Sequence, residues 1–264
     1  MALTFCSFSS GSSGNCYLVK SDNAAILIDA GISGRKIFES LKRTGTEPRK
    51  LDAILITHEH SDHIRSLRTV NRKAPQIRTY ANTGTWENIE GLVDERQRVV
   101  FETGRSFFIN DIEVRSFPLS HDAAEPVGFS FRVAGKQISI LTDTGCLNSG
   151  IFDEIAAADL LILEANHDVE MLKIGRYPMF LKQRILGEKG HLSNVDAAGA
   201  ICRLLSEEKK KRRVLLAHLS KENNFPEMAY MTIKNLLEEK DFYIDSNVFL
   251  SIIARDEMSA VYTV

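Results

Sequence analysis

The sequence predicts an α/β (α+β) fold in which a layered sheet core is covered by helices on the outside. Two features of the chain lead to this prediction. Short strand patterns separated by glycine or Asn-Asp turns dominate the first half, whereas helices alternate with apolar strands in the second half. In addition, several of the apolar strands end in a histidine or an acidic residue. No internal repeat of fixed period interrupts this order.

Length and composition predict one domain over residues 1–264. With 264 residues and 44% hydrophobic content, the chain is long enough to bury a complete core, and no segment has the composition of a linker. The net charge of −2 gives no global basic surface of the kind that nucleic-acid-binding proteins often carry. A site for a polyanion would therefore have to be local.

Cysteine spacing and the N-terminus bear on the cellular compartment. The four cysteines form no C-x-x-C pair and no dense framework, so we expect reduced packing residues at Cys6, Cys16, Cys146 and Cys202. Residues 1–5 lack a charged segment followed by an apolar one, and no apolar window approaches the roughly 18 residues of a membrane span. We therefore expect a cytoplasmic protein that makes no membrane contact.

The first half of the chain is predicted to consist mainly of strands. Ser33 fits the N-cap of a helix to about Arg43, because Ile37 and Leu41 lie four residues apart, and a second helix is predicted over 83–92. Loop 9–15 is rich in serine and glycine, which leaves open a tight turn or a loop that binds phosphate. Apolar patterns predict strands at 3–8, 16–19, 25–28, 51–56, 77–80, 98–101, 106–109 and 113–117.

The second half alternates strands with helices. A hairpin is predicted at 127–133 and 136–141, with later strands at 159–164, 214–217 and 247–254. The basic run at 209–213 is predicted to be a solvated helix C-terminus, where the helix dipole favours positive charge. Residues 167–190 are more polar and carry several basic side chains. Helices are predicted near 149–157, from Ser193 to about Lys211, and over 226–239.

A dense group of potential metal ligands follows strand 51–56, at His58, His60, Asp62 and His63. Residues two apart at a strand end project to the same side, so three of these side chains can converge on one point. His63 is offset, on the turn into the next predicted helix, and would face a second point. The alternative is a polar strand end with scattered histidines, but imidazole and carboxylate groups at this density would then repel or remain unsatisfied. The pattern therefore predicts metal binding.

Three further potential ligands follow other apolar strands, at His121, Asp143 and His218. Sites in sheet-based α/β proteins collect at strand ends, so we expect these side chains to meet the first group in one cleft. The combined inventory predicts two divalent metal ions. One site would comprise His58, His60 and His121, and the other Asp62, His63 and His218, with Asp143 bridging them.

Nitrogen and oxygen ligands without thiolate suit Zn²⁺ best, with Mn²⁺ as the alternative. Two metal ions held in this way supply a nucleophile and stabilise charge on an attacked phosphoryl or carbonyl group. The ligand set therefore predicts a hydrolase.

The motif His-x-His-x-Asp-His at 58–63, followed by His121, Asp143 and His218, resembles the metallo-β-lactamase superfamily over nearly the whole chain. This resemblance implies a four-layer αββα sandwich with a dinuclear site at one edge of the paired sheets. Narrower motifs resemble the YycJ (WalJ, VicX) family of bacterial metallohydrolases, which has been associated with exonuclease activity on DNA. They lie at 10–16 (SGSSGNC), 29–31 (DAG), 164–168 (EANHD), 190–194 (GHLSN) and 218–224 (HLSKENN).

Glu164 and the segment Gly190-His191-x-Ser193 also resemble ribonuclease Z. The resemblance implies that Glu164 and His191 lie outside the metal shell and assist proton transfer to the leaving group. Chemistry independently favours this role, because phosphodiester cleavage expels an alkoxide and benefits from a histidine kept protonated by a carboxylate. The alternative is structural, with Glu164 ending a strand and His191 starting a helix.

Differences between this sequence and related families reduce the number of functions that the resemblance allows. Metallo-β-lactamases that hydrolyse antibiotics commonly carry a cysteine at the position of Asp143, and they lack the Glu-His pair. The interval from Asp143 to His218 is too short for the inserted domain of β-CASP nucleases. No long arm of the kind that clamps tRNA in ribonuclease Z is visible. These differences argue against antibiotic hydrolysis and against tRNA processing.

We therefore expect a phosphodiesterase that acts on nucleic acid, with DNA favoured over RNA, and most consistent with a DNA exonuclease in DNA repair. Asp62, Glu164 and His191 are the expected catalytic residues, with Asp62 both binding metal and orienting the attacking water. The alternatives are a small-molecule phosphodiesterase or thioesterase, a ribonuclease, or a non-catalytic scaffold, and a homo-oligomer also stays open. Expected substrate contacts are Arg65, Arg68, His167, Lys182, Arg184 and Ser220.

Overall fold

A computed structural model describes residues 2–264, so Met1 of the predicted 1–264 domain lies outside the described residues. The strands are β1 (Thr4–Ser9), β2 (Cys16–Lys20), β3 (Ala25–Ile28), β4 (Ala53–Leu55), β5 (Arg78–Ala81), β6 (Arg98–Val100), β7 (Ser106–Ile109), β8 (Ile112–Pro118), β9 (Val127–Val133), β10 (Lys136–Leu141), β11 (Leu160–Glu164), β12 (Arg212–Ala217), β13 (Val248–Ile252) and β14 (Tyr262–Thr263). The helices are α1 (Gly34–Arg43), α2 (Ser61–Ile64), α3 (Leu67–Lys73), α4 (Thr83–Asn88), α5 (Ser149–Ile155), α6 (Val169–Ile174), α7 (Met179–Leu186), α8 (Asn194–Glu207) and α9 (Pro226–Glu238).

Within residues 2–264 the strands form two seven-stranded sheets. The first sheet has the order β14-β1-β2-β3-β4-β5-β6, and the second has the order β13-β12-β11-β10-β9-β8-β7. Strands β3 to β6 run parallel in the first sheet, as do β10 to β13 in the second. Parallel strands place their carboxyl ends at one edge of a sheet, and ligands collect at that edge.

Apolar side chains from both sheets form the central core, with Leu55 of β4 and Phe129 of β9 both fully buried there. The outer face of the first sheet packs against α1 and α3 through residues such as Ile37. The outer face of the second sheet packs against α5, α8 and α9 through residues such as Ile201. These layers form the four-layer αββα sandwich that the resemblance implied.

The basic run at 209–213 is not a helix C-terminus, so that prediction is wrong. Helix α8 ends at Glu207, and Arg212 and Arg213 begin β12, where their backbones pair with Val248 and Leu160. The side chain of Arg212 is buried and donates a hydrogen bond to the Ala156 carbonyl at 2.9 Å. Sheet pairing on both sides of β12 therefore outweighs the favourable helix dipole.

Three other features differ from the prediction. The polar segment 167–190 contains two short helices, α6 and α7, and the last strand, β14, pairs with β1. The helix expected directly after His63 is divided into α2 and α3. The division arises because the Ala30 N–H donates to the His63 carbonyl at 2.7 Å and the Ser66 N–H donates to the Ala30 carbonyl at 2.8 Å. In residues 2–264 no helix is long and apolar enough to span a membrane.

Candidate metal centre

The carboxyl ends of strands from both sheets meet at the motif 58–63. Asp29, Asp143 and His218, which follow β3, β10 and β12, have positive φ angles of 59°, 62° and 56°. Non-glycine residues rarely adopt this conformation, which costs about 1–3 kcal/mol per residue and persists where the surroundings enforce it. The backbone is therefore constrained at three strand ends that surround the site.

The predicted ligands lie close together. Donor atoms of His58, His60 and His121 lie within 4.8 Å of one another. Asp143 faces His63 with one carboxylate oxygen and His218 with the other, each at 3.4 Å from Nε2. The Asp62 carboxylate lies 3.7 Å from His63 Nε2. The structure thus brings together all seven residues of the predicted ligand set, with Asp143 near His58 and His63 on one side and near His218 on the other.

Several buried atoms in this cluster lack hydrogen-bond partners, namely His58 Nε2, Asp143 Oδ2 and His218 Nε2. Burying an unpaired polar atom costs free energy, so native proteins rarely leave such atoms without a partner. Each of these atoms is a type that binds divalent metal ions. The residues therefore fit a metal centre built from imidazole nitrogens and carboxylate oxygens.

On the side of the first sheet, the buried carboxylate of Asp29 orients His63. His63 Nδ1 donates to Asp29 Oδ2 at 2.7 Å, and the Thr57 N–H donates to Asp29 Oδ1 at 2.9 Å. Burial alone would lower the pKa of His63, but the charges of Asp29 and Asp143 raise it to about 10. The hydrogen bond to Nδ1 turns Nε2 toward Asp143 at 3.4 Å and the Asn15 side-chain amide at 3.0 Å, and an oriented Nε2 is the usual arrangement for a metal-binding histidine.

On the side of the second sheet, Glu164 is completely buried and orients two histidines. Its Oε1 accepts hydrogen bonds from Nδ1 of His191 and of His218, both at 2.8 Å, and its Oε2 accepts one from the Thr144 N–H at 2.9 Å. Burial would raise the pKa of Glu164, but the charge of His191 and the hydrogen bonds from both histidines lower it to about 2. Glu164 is therefore ionised at neutral pH.

The serine- and glycine-rich loop 9–15 packs against Asp62. The Asn15 N–H donates to the Asp62 carbonyl at 2.8 Å, and the Asn15 side-chain amide donates to Asp62 Oδ2 at 3.4 Å. The N–H groups of Gly11 and Gly14 are also used, by Asn15 Oδ1 and the Gly11 carbonyl. These contacts favour the tight turn over the phosphate-binding alternative.

Gly31, in the loop after β3, allows the backbone of that loop to lie close to the ligand motif 58–63. A Cβ atom at Gly31 would lie 1.5 Å from the Asp62 carbonyl oxygen. Only glycine leaves room for the backbone of Asp62 at this position. The loop after β3 therefore fixes the start of α2, which carries Asp62 and His63.

The predicted substrate contacts divide into exposed and buried groups. Arg184 donates to Asp122 Oδ2 at 2.5 Å, and Asp122 lies 3.4 Å from His121 Nε2, so Arg184 stands at the rim of the site. Arg65 lies two residues after His63 and donates to the Ser13 carbonyl at 3.2 Å. The remaining exposed pair, Lys182 and Arg68, donates to the carbonyls of Lys173 and Gly91.

The other two predicted contacts, His167 and Ser220, are buried, with exposed fractions of 1% and 9%. Neither ring nitrogen of His167 has a hydrogen-bond partner. The Ser220 N–H donates to the Asn166 carbonyl at 2.7 Å. Both residues therefore lie within the loops after β11 and β12, and in this structure they do not form part of an open surface.

The predicted set of site residues did not include three residues that contact it. Asp29 follows an apolar strand, as Asp143 and His218 do, so the same signal could have identified it. Asn15 and Asp122 carry no such signal, because they reach the site through loops whose approach depends on the folded structure.

Two sheets covered by helices, with a buried His-Asp-Glu cluster at the strand ends, define a metal-dependent hydrolase of the metallo-β-lactamase fold. The family described as beta-lactamase superfamily domain matches residues 24–219. The chain belongs to this family, together with proteins named exodeoxyribonuclease WalJ and exodeoxyribonuclease YycJ.

The WalJ protein of Streptococcus pneumoniae (serotype 2, strain D39) is 45% identical over 237 residues, which cover 88% of this chain and 87% of that protein. The YycJ protein of Bacillus anthracis is 41% identical over 245 residues, 92% of each chain. Among solved structures, the metallo-beta-lactamase fold protein YhfI from Bacillus subtilis aligns with a TM-score of 0.72 at 16% identity, covering 98% of this chain and 99% of that one. The YhfI likeness supports the fold alone.

Proposed function

We propose that this chain is a single-domain, two-metal phosphodiesterase that removes nucleotides from DNA ends in the cytoplasm. The observation that carries this proposal is the pair of hydrogen bonds from His191 and His218 to one oxygen of Glu164, beside Asp143. One histidine of the pair faces the metal cluster, whereas the other is free to transfer a proton. The relatives named exodeoxyribonuclease support DNA as the substrate.

The ligand set proposed for the metal ions has two parts, with Zn²⁺ as the first candidate and Mn²⁺ as the second. When bound, such ions lower the pKa of a water molecule and stabilise the charge that develops on the phosphoryl oxygens. The unpartnered atoms of His58, Asp143 and His218 support this assignment. The first part comprises His58, His60 and His121, and the second comprises Asp62, His63 and His218, with Asp143 shared.

Asp62 and His191 would act on the two sides of the scissile bond. The Asp62 side chain is 21% exposed and would orient the attacking water. The His191 side chain is 20% exposed, and its Nδ1 donates to Glu164, so its Nε2 is the atom that would donate a proton to the leaving alkoxide. The ionised Glu164 would hold the imidazole of His191 in a fixed orientation, as general acid catalysis requires.

Basic side chains near the rim would contact the DNA backbone. Arg184 and Arg65 flank the ligand motif and are the first candidates, followed by Lys182 and Arg68 farther along the surface. Phosphate contacts of this type position the strand without reading its sequence. We propose that His167 and Ser220 affect substrate only indirectly, by supporting the loop that carries His218.

A substrate panel tests the proposal directly. Metal-stripped protein is reloaded separately with Zn²⁺, Mn²⁺ or Mg²⁺ and offered end-labelled DNA, RNA of the same sequence, bis(p-nitrophenyl) phosphate and a thioester. We expect metal-dependent release of nucleotides from DNA ends, with slower or absent cleavage of the other substrates. Faster turnover of RNA or of the thioester would overturn the proposal.

The variant Asp62→Ala is expected to abolish DNA cleavage in the same assay. Asp22→Ala is the matched control, because Asp22 is an exposed aspartate at the opposite end of β3 from the site. Full nuclease activity in Asp62→Ala would contradict the proposed mechanism.

A further inference from the structure

Helix α7 exposes an unusual concentration of apolar side chains beside the metal centre. Met179, Phe180 and Leu186 of α7 are 67%, 72% and 45% exposed, and Ile174 at the end of α6 is 84% exposed. No residue of α7 is buried, although the helix is largely apolar. Exposed apolar side chains at this density commonly mark a binding site.

The C-terminal end of α7 is attached to the catalytic cluster. The His191 N–H donates to the Ile185 carbonyl at 3.0 Å, and His121 Nδ1 donates to the Gly190 carbonyl at 3.2 Å. A Cβ atom at Gly145, two residues after Asp143, would lie 2.4 Å from the Gly187 carbonyl oxygen. The helix therefore forms one wall of the opening above the metal ligands.

The face of α7 that carries Arg184 and Phe180 extends from the opening toward the N-terminal end of the helix. Arg184 lies at the rim through its contact with Asp122, and Phe180 lies four residues earlier on the same helix. Residues four apart in a helix occupy the same face, separated by about one turn of roughly 5.4 Å. A strand leaving the metal centre along this face would therefore meet the guanidinium of Arg184 and then the ring of Phe180.

The charge of this segment complements a polyanion. Residues 169–190 contain five basic and two acidic residues, a net charge of +3, whereas the whole chain has a net charge of −2. A second copy of the chain is a poorer partner, because a two-fold interface would place this positive segment against itself. The same charge attracts a phosphate backbone.

We propose that the exposed face of α7 is a stacking platform for single-stranded nucleic acid, with Phe180 stacking on a base and Arg184 holding an adjacent phosphate. Aromatic side chains next to basic ones are the common means of binding single strands without sequence preference. This inference rests on the proposed nuclease function, and it places the unpaired part of the substrate beside α7. The platform would hold a strand end in line with the metal ligands.

Equilibrium binding tests the platform separately from catalysis. Fluorescent oligothymidylate is titrated into Zn²⁺-loaded protein in an Asp62→Asn background, which is expected not to cleave, and anisotropy is measured. Phe180→Ala should weaken binding roughly 5- to 100-fold, the range expected for loss of one base stack. Phe180→Tyr should restore binding. The salt dependence of binding should stay unchanged, because neither variant removes a charge.

Phe108→Ala is the matched control. Phe108 is 69% exposed, but it lies in the hairpin of β7 and β8, whose Asn110 contacts Asp52 at the opposite end of β4 from the ligand motif. Binding by the control should match that of the parent protein. In the cleaving background, Phe180→Ala should raise the KM for oligonucleotide while leaving turnover of bis(p-nitrophenyl) phosphate unchanged.

Three results would overturn the platform: no binding of oligothymidylate by the parent protein, unchanged binding in Phe180→Ala, or equal losses in Phe180→Ala and Phe108→Ala. Sedimentation provides a further test by measuring the oligomeric state. If Phe180→Ala converts a dimer to a monomer without weakening binding per protomer, the occupant of α7 is a second copy and the inference is wrong. Failure of the nuclease function would instead appear as absent cleavage by the wild-type protein, whatever the binding result.

Discussion

Two buried carboxylates, Asp29 after a strand of the first sheet and Glu164 at the end of a strand of the second, contact the candidate metal ligands in different ways. Asp29 accepts a hydrogen bond from His63 Nδ1 and two from Thr57, so it serves one histidine. Glu164 accepts hydrogen bonds from two histidines through a single oxygen. The candidate site therefore has a compact half, residues 58–63 with Asp29, on the first sheet. Its dispersed half, His121, Asp143 and His218 with Glu164, lies on the second sheet and also holds the proposed proton donor, His191.

Because only Glu164 contacts His191, variants of the two carboxylates should distinguish effects on metal binding from effects on proton transfer. Loss of the carboxylate that serves one metal ligand should act through metal affinity, which excess metal can restore. Loss of the carboxylate that serves both a ligand and His191 should also remove a step that metal concentration does not control. Variants of Asp29 and of Glu164 should therefore differ in how far excess metal restores their activity.

The largest effect is expected for Glu164→Gln. The variant loses the carboxylate that accepts the hydrogen bond from His191 Nδ1, so kcat should fall about 10²- to 10⁴-fold, the usual contribution of general acid catalysis. Metal affinity should also fall about 10- to 100-fold, because His218 loses its charged partner. Single-turnover rates at saturating Zn²⁺ measure the first effect, and competition with a chelator measures the second.

Glu154→Gln is the control for that variant. Glu154 is a largely buried glutamate that also serves two basic side chains, Arg115 and Arg132, away from the ligand cluster. Its variant should keep the metal affinity and kcat of the wild type. Equal losses of kcat in the two variants would mean that the Glu164 effect is one of folding.

An intermediate effect is expected for Asp29→Asn. Metal affinity should fall about 10- to 100-fold because His63 loses its charged partner, while activity at saturating metal should return to near the wild-type value. Asp52→Asn is the control, since Asp52 accepts the Ala25 N–H at the opposite end of β3. A kcat that stays low at saturating metal would contradict the division of roles between Asp29 and Glu164.

The smallest effect is expected for Asn15→Ala. This change removes the amide that contacts Asp62 Oδ2 and His63 Nε2 and the acceptor for the Gly11 N–H, so Asp62 and His63 should be oriented less well. We expect kcat to fall about tenfold, as for loss of one hydrogen bond to a charged group. Ser13→Ala, in the same loop but exposed, is the control, and an identical fall in both variants would implicate the loop as a whole.

The sequence predicted the compact half more completely than the dispersed half. Residues 58–63 are adjacent in the chain, so their spacing alone indicated metal binding. His121, Asp143 and His218 were predicted because each follows an apolar strand, and the sandwich brings those strand ends together. The grouping of Glu164 with His191 came from resemblance, since no spacing rule links positions that only the folded chain brings to 2.8 Å.

The features that the sequence did not predict depend on tertiary contacts. Asn15 reaches Asp62 through a loop whose path depends on Gly31, and the site role of Asp122 depends on α7, a helix whose apolar residues show no single buried face. The basic run at 209–213 was assigned to a helix by local charge, but strand pairing on both sides determines its conformation. Local patterns therefore failed where distant segments determine the backbone.

The left-handed backbone at Asp29, Asp143 and His218 has a consequence for engineering this protein. A laboratory screen that rewards heat resistance alone would favour glycine at these positions, because glycine relieves the strain. Such a screen would accumulate its gains at the metal ligands and their supports. We therefore expect thermostable variants that are selected without an activity requirement to lose catalytic activity through substitutions at these three strand ends.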